Sequence, residues 1–141
     1  GLLSLTEVFI VNLQEAMIIL GHSEGAVFAV KKLLKGLLDL GPKMVVITDG
    51  VLGSYGYDGE KYYHCDIFPA DSLEATGAGD AFASGFMGAI MSGQSTSDAM
   101  RWGMVNSASV VTKIGAVAGL LSKKEIESRL GEKPDFGPKE F

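Results

Sequence analysis

Two short apolar runs, Val8-Phe9-Ile10-Val11 and Met44-Val45-Val46-Ile47-Thr48, bracket a stretch whose apolar residues recur at helical spacing. Runs rich in β-branched residues with no polar alternation read as strands buried on both faces. After Asn12 the spacing predicts a short helix over Leu13 to Leu20, stopped by Gly21. Ser23 can cap a second helix in which Val27, Val30, Leu34 and Leu37 share one face while Lys31, Lys32 and Lys35 lie elsewhere. Gly41-Pro42 ends it. The order strand, helix, strand implies a parallel pair with a right-handed crossover, and hence an α/β fold.

Beyond Gly53 the pattern shortens. Ser54 to Tyr57 and Lys61 to Ile67 read as strands joined through Asp58-Gly59, a dipeptide suited to a tight hairpin, so an antiparallel edge is expected. A helix is predicted over Ala78 to Met91, because Phe82, Phe86 and Ile90 fall at i, i+4 and i+8. A further helix is expected from Asp98 to about Lys113, capped within Ser95-Thr96-Ser97, and Ser122-Lys123-Lys124-Glu125 has capping-box spacing. The tail after Gly131, with Pro134, Gly137 and Pro138, reads as surface coil. With no repeat and no linker, the 141 residues are expected to form one compact unit.

Composition removes several classes of function. A net charge of -5 and a pI near 4.9 leave no basic surface for nucleic acid. No apolar stretch approaches the roughly 20 residues of a membrane helix. Cys65 is the single cysteine and His22 and His64 are isolated, so neither a disulfide nor zinc-ligand spacing is present. Cytoplasm is the expected location. Ser84, in Phe82-Ala83-Ser84-Gly85-Phe86, lacks the preceding glycine of a nucleophile elbow.

The chemistry concentrates in Glu74-Ala75-Thr76-Gly77-Ala78-Gly79-Asp80-Ala81-Phe82. Gly77 and Gly79 let main chain approach a ligand closely, and the unpaired N–H groups of a helix's first turn, aided by its dipole, attract phosphate oxygens. Asp80 falls in the same turn, where a carboxylate can take a proton from a hydroxyl attacking a terminal phosphate. A carboxylate beside phosphate repels it unless a cation compensates, so a metal-bound nucleotide is expected. The plainer reading is a loop followed by a first-turn acid. Phe82 stands where a dinucleotide fingerprint needs its third glycine, and no Lys-Ser or Lys-Thr pair follows as in a P-loop.

Thr76-Gly77-Ala78-Gly79-Asp80 resembles the Thr-Gly-Ala-Gly-Asp signature of the ribokinase family, the PfkB carbohydrate kinases. Other segments resemble that family in the same order. Asn12-Leu13-Gln14-Glu15 is similar to its Asn-x-x-Glu element, although alone it also reads as a helix cap followed by a surface acid. Thr48-Asp49-Gly50-Val51-Leu52-Gly53 is similar to its Thr-x-Gly-x-x-Gly turn. Arg101-Trp102-Gly103 and Lys113-Ile114-Gly115-Ala116 fall where such sequences flank adenine, although Trp102 taken alone reads as core. The family's usual Asp-Thr-Thr is here Glu74-Ala75-Thr76, and its Asn or His after the Arg-aromatic pair is here Met104, with Asn106 two residues on.

The resemblance implies a three-layer, ribokinase-like α/β fold with a mainly parallel sheet, of which residues 1–141 are the carboxyl-terminal, nucleotide-binding part. It implies an ATP-dependent kinase for a hydroxymethyl group of a sugar or nucleoside, with Asp80 as base and the Gly77, Ala78 and Gly79 amides as anion hole. Asn12, Thr48, Gly50, Gly53 and Gly79 would hold nucleotide, Glu15 would reach Mg²⁺ through water, and Glu74 is the acid available to a monovalent cation. An amino-terminal half, or a second copy of the chain, is expected as partner. A nucleotide-repair dehydratase of the same superfamily and a non-catalytic nucleotide-binding module are the alternatives.

Overall fold

The computed structural model describes residues 1–23, 29–69, 77–111 and 121–141. The chain divides into two compact units, Gly1–His64 with Lys139–Phe141, and Cys65–Pro138.

In the first unit β1 (Val8–Asn12) and β2 (Met44–Thr48) pair in parallel, in a register running from Val8 with Met44 to Asn12 with Thr48. Helices α1 (Leu13–Ile19) and α2 (Val30–Leu38) come between them in sequence. The period-two alternation of the strands sends Val11, Val45 and Ile47 into one cluster with Ala16 of α1 and Leu33, Leu34 and Leu37 of α2. Each large side chain removed from water there stabilises the unit by roughly 1.5–3 kcal/mol. Gly21, at φ +73°, turns the chain out of α1. The next helix begins later than expected: Ala29 stands at the N-cap of α2 and caps with no side chain, so Ser23 does not cap it, and Val27 lies outside the described residues.

Strand β3 (Ser54–Tyr57) runs antiparallel to β2, and β4 (Tyr62–Cys65) lies beside β3. Between them Asp58 Oδ1 accepts from the N–H groups of Glu60 at 2.9 Å and Lys61 at 2.8 Å, and Gly59 takes φ +93°. The tail departs from the expected coil. Lys139–Glu140 forms β5, antiparallel to β4, with Lys139 opposite His64 and Glu140 opposite Tyr63. The reason is main-chain pairing at an open sheet edge, which needs no apolar pattern. The α/β class holds, and the sheet is mixed, with β1 and β2 as its parallel pair.

The second unit holds α3 (Ala78–Met91), α4 (Thr96–Val111) and α5 (Lys123–Glu132). Two glycines let α3 and α4 touch backbone to backbone. A Cβ at Gly85 would stand 2.8 Å from the Trp102 carbonyl oxygen, and one at Gly103 would stand 2.7 Å from the Phe82 ring. Phe82, Phe86, Met100 and Val105 are fully buried. Ser95 Oγ accepts from the Asp98 N–H at 3.1 Å, so α4 begins two residues before the expected Asp98. No described helix is long and apolar enough to cross a membrane.

Candidate functional site

The parallel register of the first unit sets Asn12 directly beside Thr48 where β1 and β2 end. Asn12 starts α1: its Oδ1 accepts from the Glu15 N–H at 2.8 Å, and Glu15 Oε2 accepts from the Asn12 N–H at 2.9 Å. The two residues singled out by resemblance therefore form a capping box, as the plainer reading of this element has it. Both remain exposed.

After Thr48 the chain makes one 3₁₀ turn, Gly50–Leu52, before entering β3. Gly50 at φ +51° and Gly53 at φ +90° occupy a backbone region that side chains resist, and the Asp49 N–H closes the turn on the Gly53 carbonyl at 2.8 Å. His64 Nε2 lies 2.8 Å from the Leu52 carbonyl oxygen. A carbonyl only accepts, so that nitrogen carries the proton and the ring ties the turn to β4. Val51 and Leu52 are 82% and 57% exposed, an apolar surface that the sequence pattern does not explain.

In the second unit Gly77 occupies the N-cap of α3 at φ +83° with no side chain capping the helix. Among the described residues, the N–H groups of Ala78, Gly79 and Asp80 meet no acceptor. This set shares Ala78 and Gly79 with the expected Gly77 to Gly79 amides. A Cβ at Gly79 would meet nothing within 4 Å, so the first turn is open on that side. Asp80 is exposed, and no described residue hydrogen-bonds or ion-pairs its carboxylate. Unpaired amides, the positive end of a helix and a free carboxylate therefore share one turn of main chain.

Other candidates resolve differently. Trp102 is 5% exposed and packs as core. Cys65 is fully buried, and burial pushes its thiol up to about 12, leaving no reactive thiolate. Asn106 does not face a ligand surface: it is buried and bonded at both ends of its amide. Glu74 and Thr76, with Lys113 to Ala116, lie outside the described residues. No cluster of three or more His, Cys, Asp or Glu able to hold a metal exists among the described residues.

Comparison with known proteins converges on one group. The model of the pfkB family of carbohydrate kinases matches residues 1–123. An ATP-dependent 6-phosphofructokinase of Thermoanaerobacterium thermosaccharolyticum is 34% identical over 95 residues, 67% of this chain and 30% of that protein. A cytidine kinase of Thermococcus kodakarensis is 33% identical over 116 residues, 81% of this chain and 40% of that protein. The ribokinase of Arabidopsis thaliana, solved with ribose and ATP, superposes with a TM-score of 0.82 at 26% identity, over 92% of this chain and 42% of that one. The chain thus spans well under half the length of the relatives it matches.

Proposed function

The chain belongs to the pfkB family of carbohydrate kinases, and from that premise we propose that it is the nucleotide-binding part of a kinase that phosphorylates a hydroxymethyl group of a sugar or nucleoside with ATP. The observation that carries this reading is the first turn of α3, where three amides and the Asp80 carboxylate, none of them with a partner among the described residues, stand together.

The roles follow from charge. The amides of Ala78, Gly79 and Asp80 bind oxygens of the transferring phosphoryl group, fixed in advance and therefore without reorganisation cost. Asp80 accepts the proton of the acceptor hydroxyl as it attacks, a contribution of about 10²–10⁴-fold. Magnesium on the nucleotide supplies the positive charge that makes a carboxylate tolerable beside phosphate. Glu15 is the carboxylate assigned to its water shell, Asn12 and Thr48 line the strand ends toward nucleotide, and the turn from Gly50 to Gly53 lies against it. The exposed Val51 and Leu52 give that turn an apolar face for the flat side of a base. The names of the two relatives, one acting on a sugar phosphate and one on a nucleoside, support an alcohol acceptor of either class.

The test is ADP release by the complete protein with Mg·ATP against a panel of pentoses, hexoses and nucleosides. Acceptor-dependent ADP formation supports the kinase. Binding of Mg·ATP with no turnover on any acceptor supports the non-catalytic module.

A further inference from the structure

Asn106 lies on α4, only 2% exposed, and both ends of its amide are used. Its Nδ2 donates to the Ala81 carbonyl at 2.8 Å, and its Oδ1 accepts from the Leu121 N–H at 2.9 Å. A buried amide at a helix crossing is costly unless it is met, and here two separate segments meet it. The close approach of α3 makes this possible: a Cβ at Gly85 would stand only 3.0 Å from Asn106 Cβ.

The Ala81 carbonyl sits near the start of α3, where the helix's own i to i+4 ladder already supplies a donor. The bond from Asn106 therefore does not rescue an orphaned group, and its consequence is positional. Ala81 follows Asp80 directly, so the bond pins the turn that carries both the free amides and the carboxylate. The other end of the same amide holds Leu121, next to Ser122, the N-cap of α5. One side chain thus fixes three segments by name: the first turn of α3, α4, and the entry to α5.

We propose that Asn106 is a positioning residue for phosphoryl transfer, holding the first turn of α3 so that Asp80 and the amides of Ala78 and Gly79 keep their mutual geometry. Its link to the reaction rests on the kinase reading above, whereas its hold on the turn does not. Asn106→Asp keeps the size of the side chain and its acceptor for Leu121, but sets an anionic oxygen against the Ala81 carbonyl. Asn106→Leu removes both bonds and leaves the Leu121 N–H without its acceptor.

Both variants are to be compared with the wild type in the complete protein by thermal melting, amide hydrogen exchange and steady-state kinetics. In each, the Ala81 amide, which closes the first turn of α3 on the Gly77 carbonyl, exchanges faster, and in Asn106→Leu the Leu121 amide does so as well, while Phe86 to Met91 stay protected. At neutral pH kcat falls by about 10²-fold, the scale of a small misplacement of reacting groups, with KM for ATP within about threefold of wild type. As pH falls, Asn106→Asp recovers relative to wild type because its carboxyl becomes protonated and donates again, and Asn106→Leu does not recover. A folded Asn106→Asp with wild-type kcat overturns the proposal, as does unchanged exchange at the first turn of α3 in either folded variant. If the wild type transfers no phosphoryl group to any acceptor, the kinase reading and the proposed role in transfer fall together, and the exchange measurement still decides whether Asn106 holds the turn.

Discussion

Asn12 and Glu15 satisfy each other across the first turn of α1, each side chain bonding the other residue's backbone N–H, at 2.8 and 2.9 Å. Under the proposed function the same pair also serves nucleotide and metal, so one pair of side chains would carry both a structural and a functional role. They separate by substitution. Asn12→Ala removes the cap and lowers stability by about 1 kcal/mol. Glu15→Gln keeps an acceptor for the Asn12 N–H and leaves the melting temperature nearly unchanged. Its loss of charge raises the Mg²⁺ concentration needed for half-maximal rate. A melt of each variant, beside a Mg²⁺ titration of the rate, checks the pair. Unchanged Mg²⁺ dependence in Glu15→Gln removes Glu15 from the metal's surroundings.

Asp80 is exposed and unbonded among the described residues, so replacing it disturbs little of the fold. Asp80→Asn in the complete protein is expected to melt like the wild type and to bind ATP comparably. Its kcat falls by about 10²–10⁴-fold, the usual worth of a general base. Full turnover in this variant would remove Asp80 from the mechanism.

Gly85 and Gly88 lie on the same helix with opposite surroundings. A Cβ at Gly85 meets the Trp102 carbonyl at 2.8 Å, and backbone cannot swing aside as a flexible side chain can, whereas a Cβ at Gly88 meets nothing within 4 Å. Gly85→Ala therefore forces α3 and α4 apart at a cost of about 1–3 kcal/mol. Gly88→Ala restricts the unfolded chain and stabilises by about 0.5–1 kcal/mol. Denaturant melts of the two variants should shift in opposite directions.

Much of this was legible in the residues themselves. The parallel pair follows from two apolar runs around a helical pattern, and α3 has its expected bounds because Gly77 and the spacing of Phe82, Phe86 and Ile90 mark start and face. The hairpin at Asp58 and the capping boxes at Asn12 and Ser122 are local, so local sequence reports them. What escaped depends on distant main chain. β5 has two residues and pairs through backbone, leaving no alternation to read. His64 finds the Leu52 carbonyl only because β3 and β4 bring the turn back, and Asn106 finds Ala81 only because two glycines bring helices together. A sequence shows which residues need partners, and here the fold chose them.

Cys65 is fully buried, with burial as the main cause of a thiol pushed up to about 12. Thiolate is the reactive form, so at pH 8 almost none is available and the sulfur is shielded as well. Ellman's reagent should leave the native protein unlabelled over hours and titrate one thiol at once in denaturant. Rapid labelling of native protein would contradict the burial.

Ser122 and Glu125 form the capping box of α5, with the Ser122 N–H donating to Glu125 Oε2 at 2.7 Å and Ser122 Oγ accepting from the Glu125 N–H at 3.3 Å. The backbone bond from Ser122 is the main reason the Glu125 carboxyl lies below its ordinary 4.5, with the Ser122 hydroxyl and Arg129 adding to it. The folded value is depressed, so the unfolded chain binds this proton more readily than the folded one. The charged box thus stabilises α5 fully above pH 4.5, and this contribution is lost as pH falls through the lower folded value. Following the Ser122 amide by NMR during acid titration should show its shift and protection changing below pH 4.5, together with fraying of Lys123 and Lys124. Glu125→Gln retains an acceptor without a titrating charge, so its Ser122 amide should stay constant through the same range. A Ser122 amide that titrates equally in both proteins would place the pH dependence elsewhere.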